Sequence, residues 1–237
     1  MHEEVLMDIK ILGTRGEIES SAPYHSKKSG VLINNTVMLD CGDERFLAYH
    51  PRYILMTHLH PDHAFFTRGD KKYAIPDVPM YAPERFKNIP IICTKKSFTI
   101  GGYHITPIPT IHSIKVKSNA YLIEHKKKRI LYTGDMIWIE KKYHRLLHDL
   151  DLVITEASHI RRGGVVRRDP KTGHIFGHTG IPNLIALFSQ YTSSILLTHF
   201  GSWFYKDMKD GRKQCLKLGQ EYNVEVIVGY DGMELEV

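Results

Sequence analysis

Six consecutive residues, His58-Leu59-His60-Pro61-Asp62-His63, carry four side chains of metal-binding type and close the apolar run Tyr53-Ile54-Leu55-Met56-Thr57. Such a run reads as a strand, in which residues two apart share a face, so His58 and His60 present both imidazoles to one side while Leu59 points to the other. Pro61 stops the strand. Asp62 and His63 follow where a helix is expected to begin, so they approach the same cavity from another direction. Four ligands of this kind can surround one or two metal ions; imidazole and carboxylate together suit zinc and, less exclusively, manganese or iron.

Three further candidates recur at the ends of apolar runs: His112 after Ile108-Pro109-Thr110-Ile111, Asp135 after Ile130-Leu131-Tyr132-Thr133-Gly134, and His199 after Ile195-Leu196-Leu197-Thr198. In layered α/β folds chemistry collects in loops beyond strand ends, because the sheet is rigid and the loops are free to vary. Glu156 closes the run Leu152-Val153-Ile154-Thr155, and His178, in Gly177-His178-Thr179-Gly180, precedes an expected helix. A histidine at a helix start faces amide donors and a partial positive charge, which also favour a nearby phosphate. Between the two lies residues 161–171, with Arg161, Arg162, Arg167, Arg168 and Lys171 against one acid, Asp169. Arginines pair bidentately with phosphate, so this run is either a solvated surface loop or a guide for a polyanion. The turn Gly13-Thr14-Arg15-Gly16 is read as structural rather than as a phosphate cradle. Trp203-Phe204-Tyr205 reads as a stacking platform, a piece of core or a dimer contact.

The elements that must carry these residues are mostly short strands. Apolar, often β-branched runs separated by Gly, Asn and Pro predict strands at 7–12, 31–33, 37–40, 53–57, 91–93, 104–108, 119–124, 129–133, 152–155, 194–198 and 225–228. Asn34-Asn35 and the lysine run 126–128 mark tight hairpins. Helices are expected after Asp62 and at 141–147, 181–190 and 206–222, the third supported by Pro182 in its first turn. Residues 163–177, rich in glycine and basic, have no apolar period and read as a loop. With no linker and no repeat, residues 1–237 read as one α/β domain in which two sheets pack together under covering helices.

Composition agrees. The chain has 237 residues, a formal charge of +6, 42% hydrophobic and 24% charged residues, which excludes disorder, collagen and coiled coil. Three scattered cysteines, Cys41, Cys93 and Cys215, make no disulfide framework, and the acidic start Met1-His2-Glu3-Glu4 is unlike a signal peptide. No apolar run approaches the roughly 18 residues that span a bilayer, so a cytoplasmic, membrane-free protein is expected. Histidine, at 15, is the unusual count.

The motif His-x-His-x-Asp-His, with the later His112, Thr133-Gly134-Asp135 and Leu197-Thr198-His199 in the same order, resembles the metallo-β-lactamase-fold superfamily of metal-dependent hydrolases over nearly the full length. The resemblance implies a four-layer αββα sandwich with a binuclear site at one edge of the two sheets. It implies that His58, His60 and His112 hold one divalent ion, Asp62, His63 and His199 a second, and that Asp135 bridges them. The antibiotic-cleaving branch has cysteine at the position of Asp135, so β-lactam hydrolysis is not expected. Two ions roughly 3.5–4 Å apart share a water, lower its pKa and clamp both oxygens of an in-line displacement, a chemistry that suits phosphate esters. Asp62 would take the proton of the attacking water. Thr155-Glu156-Ala157-Ser158-His159 and Gly177-His178-Thr179 are similar to elements of the ribonuclease Z and phosphodiesterase branch, which implies His178 as proton donor to the leaving group and Glu156 as its partner.

Transfer-RNA-processing members insert a long arm between the ligands corresponding to His112 and Asp135; here residues 113–134 are filled by one hairpin. The expectation is therefore a compact phosphodiesterase whose metal-bound hydroxide attacks RNA, an oligonucleotide or a small phosphodiester, with an anionic substrate and an oligomeric state left open, a homodimer among the options. A carbonyl-ester hydrolase (thioesterase or lactonase) on the same metals, and a non-catalytic nucleic-acid-binding protein, are the alternatives.

Overall fold

The structure is a computed structural model that describes residues 6–69 and 73–237; the acidic start, residues 1–5, lies outside them. Its first sheet contains β1 (Asp8–Gly13), β2 (Gly30–Ile33), β3 (Val37–Leu39), β4 (Tyr53–Leu55), β5 (Met80–Ala82) and β6 (Ile91–Cys93). The second contains β7 (Phe98–Ile100), β8 (Tyr103–Ile111), β9 (Asn119–His125), β10 (Lys128–Tyr132), β11 (Trp138–Ile139) and β12 (Leu152–Ala157). A separate ribbon joins β13 (Val165–Arg168) to β14 (Ile175–His178). Helix α1 (Ile181–Phe188), β15 (Ser194–Phe200), α2 (Met208–Glu221), β16 (Glu225–Val228) and β17 (Glu234–Glu236) complete the chain. β15 and β16 extend the second sheet, and β17 returns to pair with β1 at the edge of the first.

Alternation along the strands builds three apolar layers. In β3, Val37 and Leu39 enter the core between the sheets while Met38 enters the outer one; in β12, Leu152 and Ile154 face the central core and Val153 the opposite layer. Strands buried on both faces read as continuous apolar runs, which is why these elements were visible in the sequence. Helices α1 and α2 cover the second sheet, and the outer layer over the first is built from 3-10 turns and loops carrying Phe46, Phe65 and Phe66. Together these layers form a four-layer sandwich of the expected αββα type, with α-helices on the second sheet and 3-10 turns in the place of helices on the first.

Strand direction gathers the candidate ligands. β3 and β4 run parallel, as do β10, β12 and β15, and β8 points the same way as β10 because each is antiparallel to β9. The C-terminal ends of all six strands therefore reach one edge of the sandwich, where Asp40, His58, His112, Asp135, Glu156 and His199 stand.

Several expectations change in detail. The helix expected after Asp62 is only a 3-10 turn, Phe65–Thr67. Cys41 captures the preceding backbone: its N–H donates to the His63 carbonyl and its carbonyl accepts from Phe65 N–H, which diverts these groups from a helix. The helix expected at 141–147 is likewise 3-10, Lys141–Leu146. Residues 163–177 are not one plain loop: they hold β13, most of β14 and the turn between them, a ribbon whose two faces are too exposed to show an apolar period. Asn34 and Asn35, at φ 45° and 48°, make the tight hairpin turn. Asp207 caps α2 by accepting from Asp210 N–H. Phe204 is fully buried and the Trp203 indole donates to the Ala157 carbonyl, so the aromatic triplet is core. Among the described residues no helix is long and apolar enough to cross a membrane.

A buried histidine outside the site makes stability depend on acid. His25 is fully buried; Thr14 gives its hydroxyl proton to Asp231, so its oxygen accepts from His25 Nδ1–H, and His25 Nε2 accepts from Arg212. Both contacts select the neutral ring. Burial first, then the Arg212 charge, push its pKa down to about 4. A histidine depressed in the folded state contributes stability that is complete above the unfolded value near 6.5 and is lost as pH falls toward 4. Unfolding free energies from urea titrations, followed from pH 7 to pH 4, should fall by about 3 kcal/mol more in wild type than in His25→Asn, at about 1.36 kcal/mol per unit. Parallel profiles would contradict this.

Candidate metal centre

Eight ligand-type side chains meet at the sandwich edge; His60 and His178 are half-buried and the other six are buried. His60 Nδ1 lies 3.0 Å from His58 Nε2 and 3.3 Å from His112 Nε2. Zinc–nitrogen bonds of 2.0–2.1 Å in a tetrahedron hold their ligands roughly 3.3–3.4 Å apart, so the three nitrogens fit one cation. On the other side, His199 Nε2 is 3.0 Å from Asp62 Oδ2, and His63 Nε2 is 3.8 Å from that same oxygen.

Asp135 stands between the two groups. Its Oδ1 is 3.3 Å from His63 Nε2 and 3.4 Å from His199 Nε2; its Oδ2 is 3.8 Å from both His58 Nε2 and His112 Nε2. His63 Nε2 and Asp135 Oδ1 are buried without a hydrogen-bond partner. Orphaned buried polar atoms are costly, and a divalent cation would satisfy both. The residues present therefore fit two ions that share one carboxylate.

Charge supports the same reading. Burial, reinforced by neighbouring imidazoles, holds His58 well below its usual pKa and His60 down to about 4, and burial lowers His112. These three rings are neutral and carry free lone pairs. In the second group burial works against ionisation, yet His199 and His63 hold the Asp135 carboxyl well below the carboxylate range, and the surrounding carboxylates raise His63.

Four of the five ligand rings, those of His58, His63, His112 and His199, are aimed by a contact on their other nitrogen. His112 Nδ1 donates to the Gly177 carbonyl, while Gly177 N–H donates back to the His112 carbonyl, so β14 clamps this histidine. Gly177 has φ +121°, and a Cβ there would lie 2.1 Å from the Val165 carbonyl oxygen, so only glycine fits. His199 Nδ1 lies 3.1 Å from Ser158 Oγ. Gly16 packs against the ring of His199, which gives the Gly13–Gly16 turn a structural role as one wall of the site.

Glu156 and His178 form a pair, His178 Nδ1 donating to Glu156 Oε2 at 2.8 Å, while Glu156 Oε1 accepts from Met136 N–H. His178 Nδ1 is 4.0 Å from Asp135 Oδ2, and the ring lines the same 410 Å³ pocket as His60, Asp62, His112, Asp135 and His199. Burial would lower its pKa, but Glu156 and then Asp135 carry it up to about 9. None of the four arginines lines that pocket: Arg161 donates to the Gly164 carbonyl, Arg162 to the Tyr222 hydroxyl and Arg168 to the Gly173 carbonyl, with Arg167 exposed on the ribbon.

Asp40 is the contributor that sequence reasoning missed. Fully buried at the end of β3, it accepts from Thr57 N–H, the Thr57 hydroxyl, the Tyr132 hydroxyl and, at 2.7 Å, His63 Nδ1–H. A carboxylate on the far nitrogen fixes the tautomer and raises the basicity of a ligating imidazole. Thr57 continues the chain by facing His58 Nδ1 at 3.0 Å. The available signal was an acid closing a wholly apolar strand, Val37-Met38-Leu39-Asp40. Asp40→Asn should weaken metal affinity 10–100-fold, as loss of such a partner does. Competition against a chromogenic chelator measures it, and an unchanged affinity would count against the role.

The beta-lactamase superfamily domain matches residues 42–200. A metallo-beta-lactamase fold protein, YhfI from Bacillus subtilis, superposes with a TM-score of 0.72 at 18% identity over 99% of this chain and 100% of that one. A diphosphatase of the PhnP family gives 0.68 at 15% identity over 98% of each chain. The short form of human tRNase Z gives 0.61 at 18% identity over 96% and 98%. No curated protein matches in sequence. The chain belongs to the β-lactamase superfamily of metallo-β-lactamase-fold, metal-dependent hydrolases.

Proposed function

We propose that this protein is a binuclear metal phosphodiesterase, residues 1–237 acting as one hydrolase domain of the ribonuclease Z-like branch. The observation that carries it is the Glu156–His178 pair set 4.0 Å from Asp135, because a charged imidazole beside the ligand cluster is what a departing alkoxide needs. Neighbours of the same fold, a diphosphatase and a tRNase Z, act on phosphate-containing substrates and support this choice over a carbonyl ester.

In this reading His58, His60 and His112 hold one ion and Asp62, His63 and His199 the other, with Asp135 shared; zinc suits the donors, manganese or iron less exclusively. Bound divalent ions supply charge neutralisation at the phosphoryl oxygens and lower the pKa of water toward neutrality. Asp62 lines the pocket and takes the proton of the attacking water. His178 gives its Nε2 proton to the leaving oxygen, and Glu156 keeps the ring oriented and charged. Arg161, Arg162, Arg167 and Arg168, outside the pocket, attract a polyanion at longer range.

The test is hydrolysis of bis-p-nitrophenyl phosphate by Zn²⁺- or Mn²⁺-loaded protein, with a lactone and a thioester alongside. Turnover of the diester is expected; cleavage of the carbonyl esters alone would overturn the reading.

A further inference from the structure

A second cavity of about 820 Å³ opens beside the metal centre, twice the volume of the 410 Å³ pocket, and the two share His112. It runs along the end of β8 and the turn that follows, and His174 and Ile175 of the ribbon border it. Nothing in the hydrolytic account uses this space. Its size falls within the roughly 300–1,000 Å³ of whole ligand sites, more than the leaving group of a small diester needs.

The cavity is cationic. Lys95, Lys115 and Lys117 line it, all exposed, and among the described residues no carboxylate lies within ion-pair distance of their ammonium groups. Glu84 is the one acid of the lining, and it spends Oε1 on the Lys117 backbone N–H at 2.9 Å. The half-buried Tyr143 ring and the exposed Ile114, at 46%, give flat and apolar surface between the charges. Uncompensated cations along a groove, interleaved with surfaces on which bases can lie, are the features that hold single-stranded nucleic acid.

Resting on the phosphodiesterase reading, we infer that the substrate is single-stranded nucleic acid rather than a small diester. Its strand on one side of the scissile phosphate occupies this cavity, with Lys95, Lys115 and Lys117 on the backbone phosphates. His112 lines both spaces and places the metal centre at one end of that path, and no arginine lines either one.

The test uses the full chain loaded with Zn²⁺ and the triple variant Lys95→Ser, Lys115→Ser, Lys117→Ser, whose side chains are exposed. Hydrolysis of bis-p-nitrophenyl phosphate should stay within about twofold of wild type. For a fluorescein-labelled oligoribonucleotide of eight residues, kcat/KM should fall at least tenfold. The slope of its logarithm against the logarithm of salt should become shallower by about two, the release of three single-strand phosphate contacts at roughly 0.7 each. Equal losses on both substrates, or an unchanged salt slope, would overturn the inference. Should wild type cleave neither substrate, the phosphodiesterase reading fails by itself. Fluorescence anisotropy of the same octamer then decides the cavity: binding weakened in the triple variant supports it, and equal binding rejects it.

Discussion

Asp135→Ala should lower phosphodiester turnover by roughly 10³-fold or more and reduce bound metal from two ions per chain to one. Each oxygen of this carboxylate faces a different ligand group, Oδ1 toward His63 and His199 and Oδ2 toward His58 and His112. Removing it leaves the His58–His60–His112 trio intact with three neutral nitrogens, enough to retain a cation. The second group keeps one carboxylate, Asp62, between two rings. Losing several kcal/mol of charge stabilisation at the reacting phosphoryl corresponds to the stated factor, at about 1.36 kcal/mol per tenfold. Elemental analysis of the purified variant, beside its rate on bis-p-nitrophenyl phosphate, reads both numbers. Full metal content with wild-type rate would show that the carboxylate is not shared.

His178→Ala should reveal itself through the leaving group. A proton donor contributes roughly 10²–10⁴-fold when the departing oxygen would otherwise leave as an unstable anion. The loss on an oligonucleotide, whose leaving group is an alkoxide, should therefore reach that range. On bis-p-nitrophenyl phosphate, whose nitrophenolate departs without a proton, it should be tenfold or less. Metal content should not change, since the proposed assignment rests both ions on the other seven side chains; a lost ion would make His178 a ligand together with His112 and Asp135. Glu156→Gln should follow the same pattern, because it withdraws the charge that raises the His178 pKa and leaves one acceptor oxygen where the carboxylate serves both Met136 N–H and His178 Nδ1–H. Equal losses on both substrates would assign His178 to holding the site together instead of donating a proton.

The ligand set was legible because its spacing is local chemistry: His58, His60, Asp62 and His63 announce themselves within six residues, and His112, Asp135 and His199 each close an apolar run. Asp40 and Ser158 were not, because nothing local marks either as the partner of His63 or His199, which lie elsewhere in the chain. All eleven expected strands are present, since burial on both faces, or on one in β6 and β16, leaves short apolar runs between turn residues. The two- and three-residue strands β5, β7, β11 and β17 are too short to establish an alternation, and they were missed. The ribbon β13–β14 was read as a loop for the opposite reason, as backbone pairing and glycine turns hold it with little buried side chain. That error mattered to the site, because this ribbon clamps His112 and delivers His178.

The central claim, that two cations shared by one carboxylate drive phosphodiester hydrolysis, is tested most directly by titrating metal-free protein with Zn²⁺ while following hydrolysis of bis-p-nitrophenyl phosphate. The predicted result is a rate that rises to a plateau at two equivalents per chain. A plateau at one equivalent, or no turnover at any loading, would contradict it.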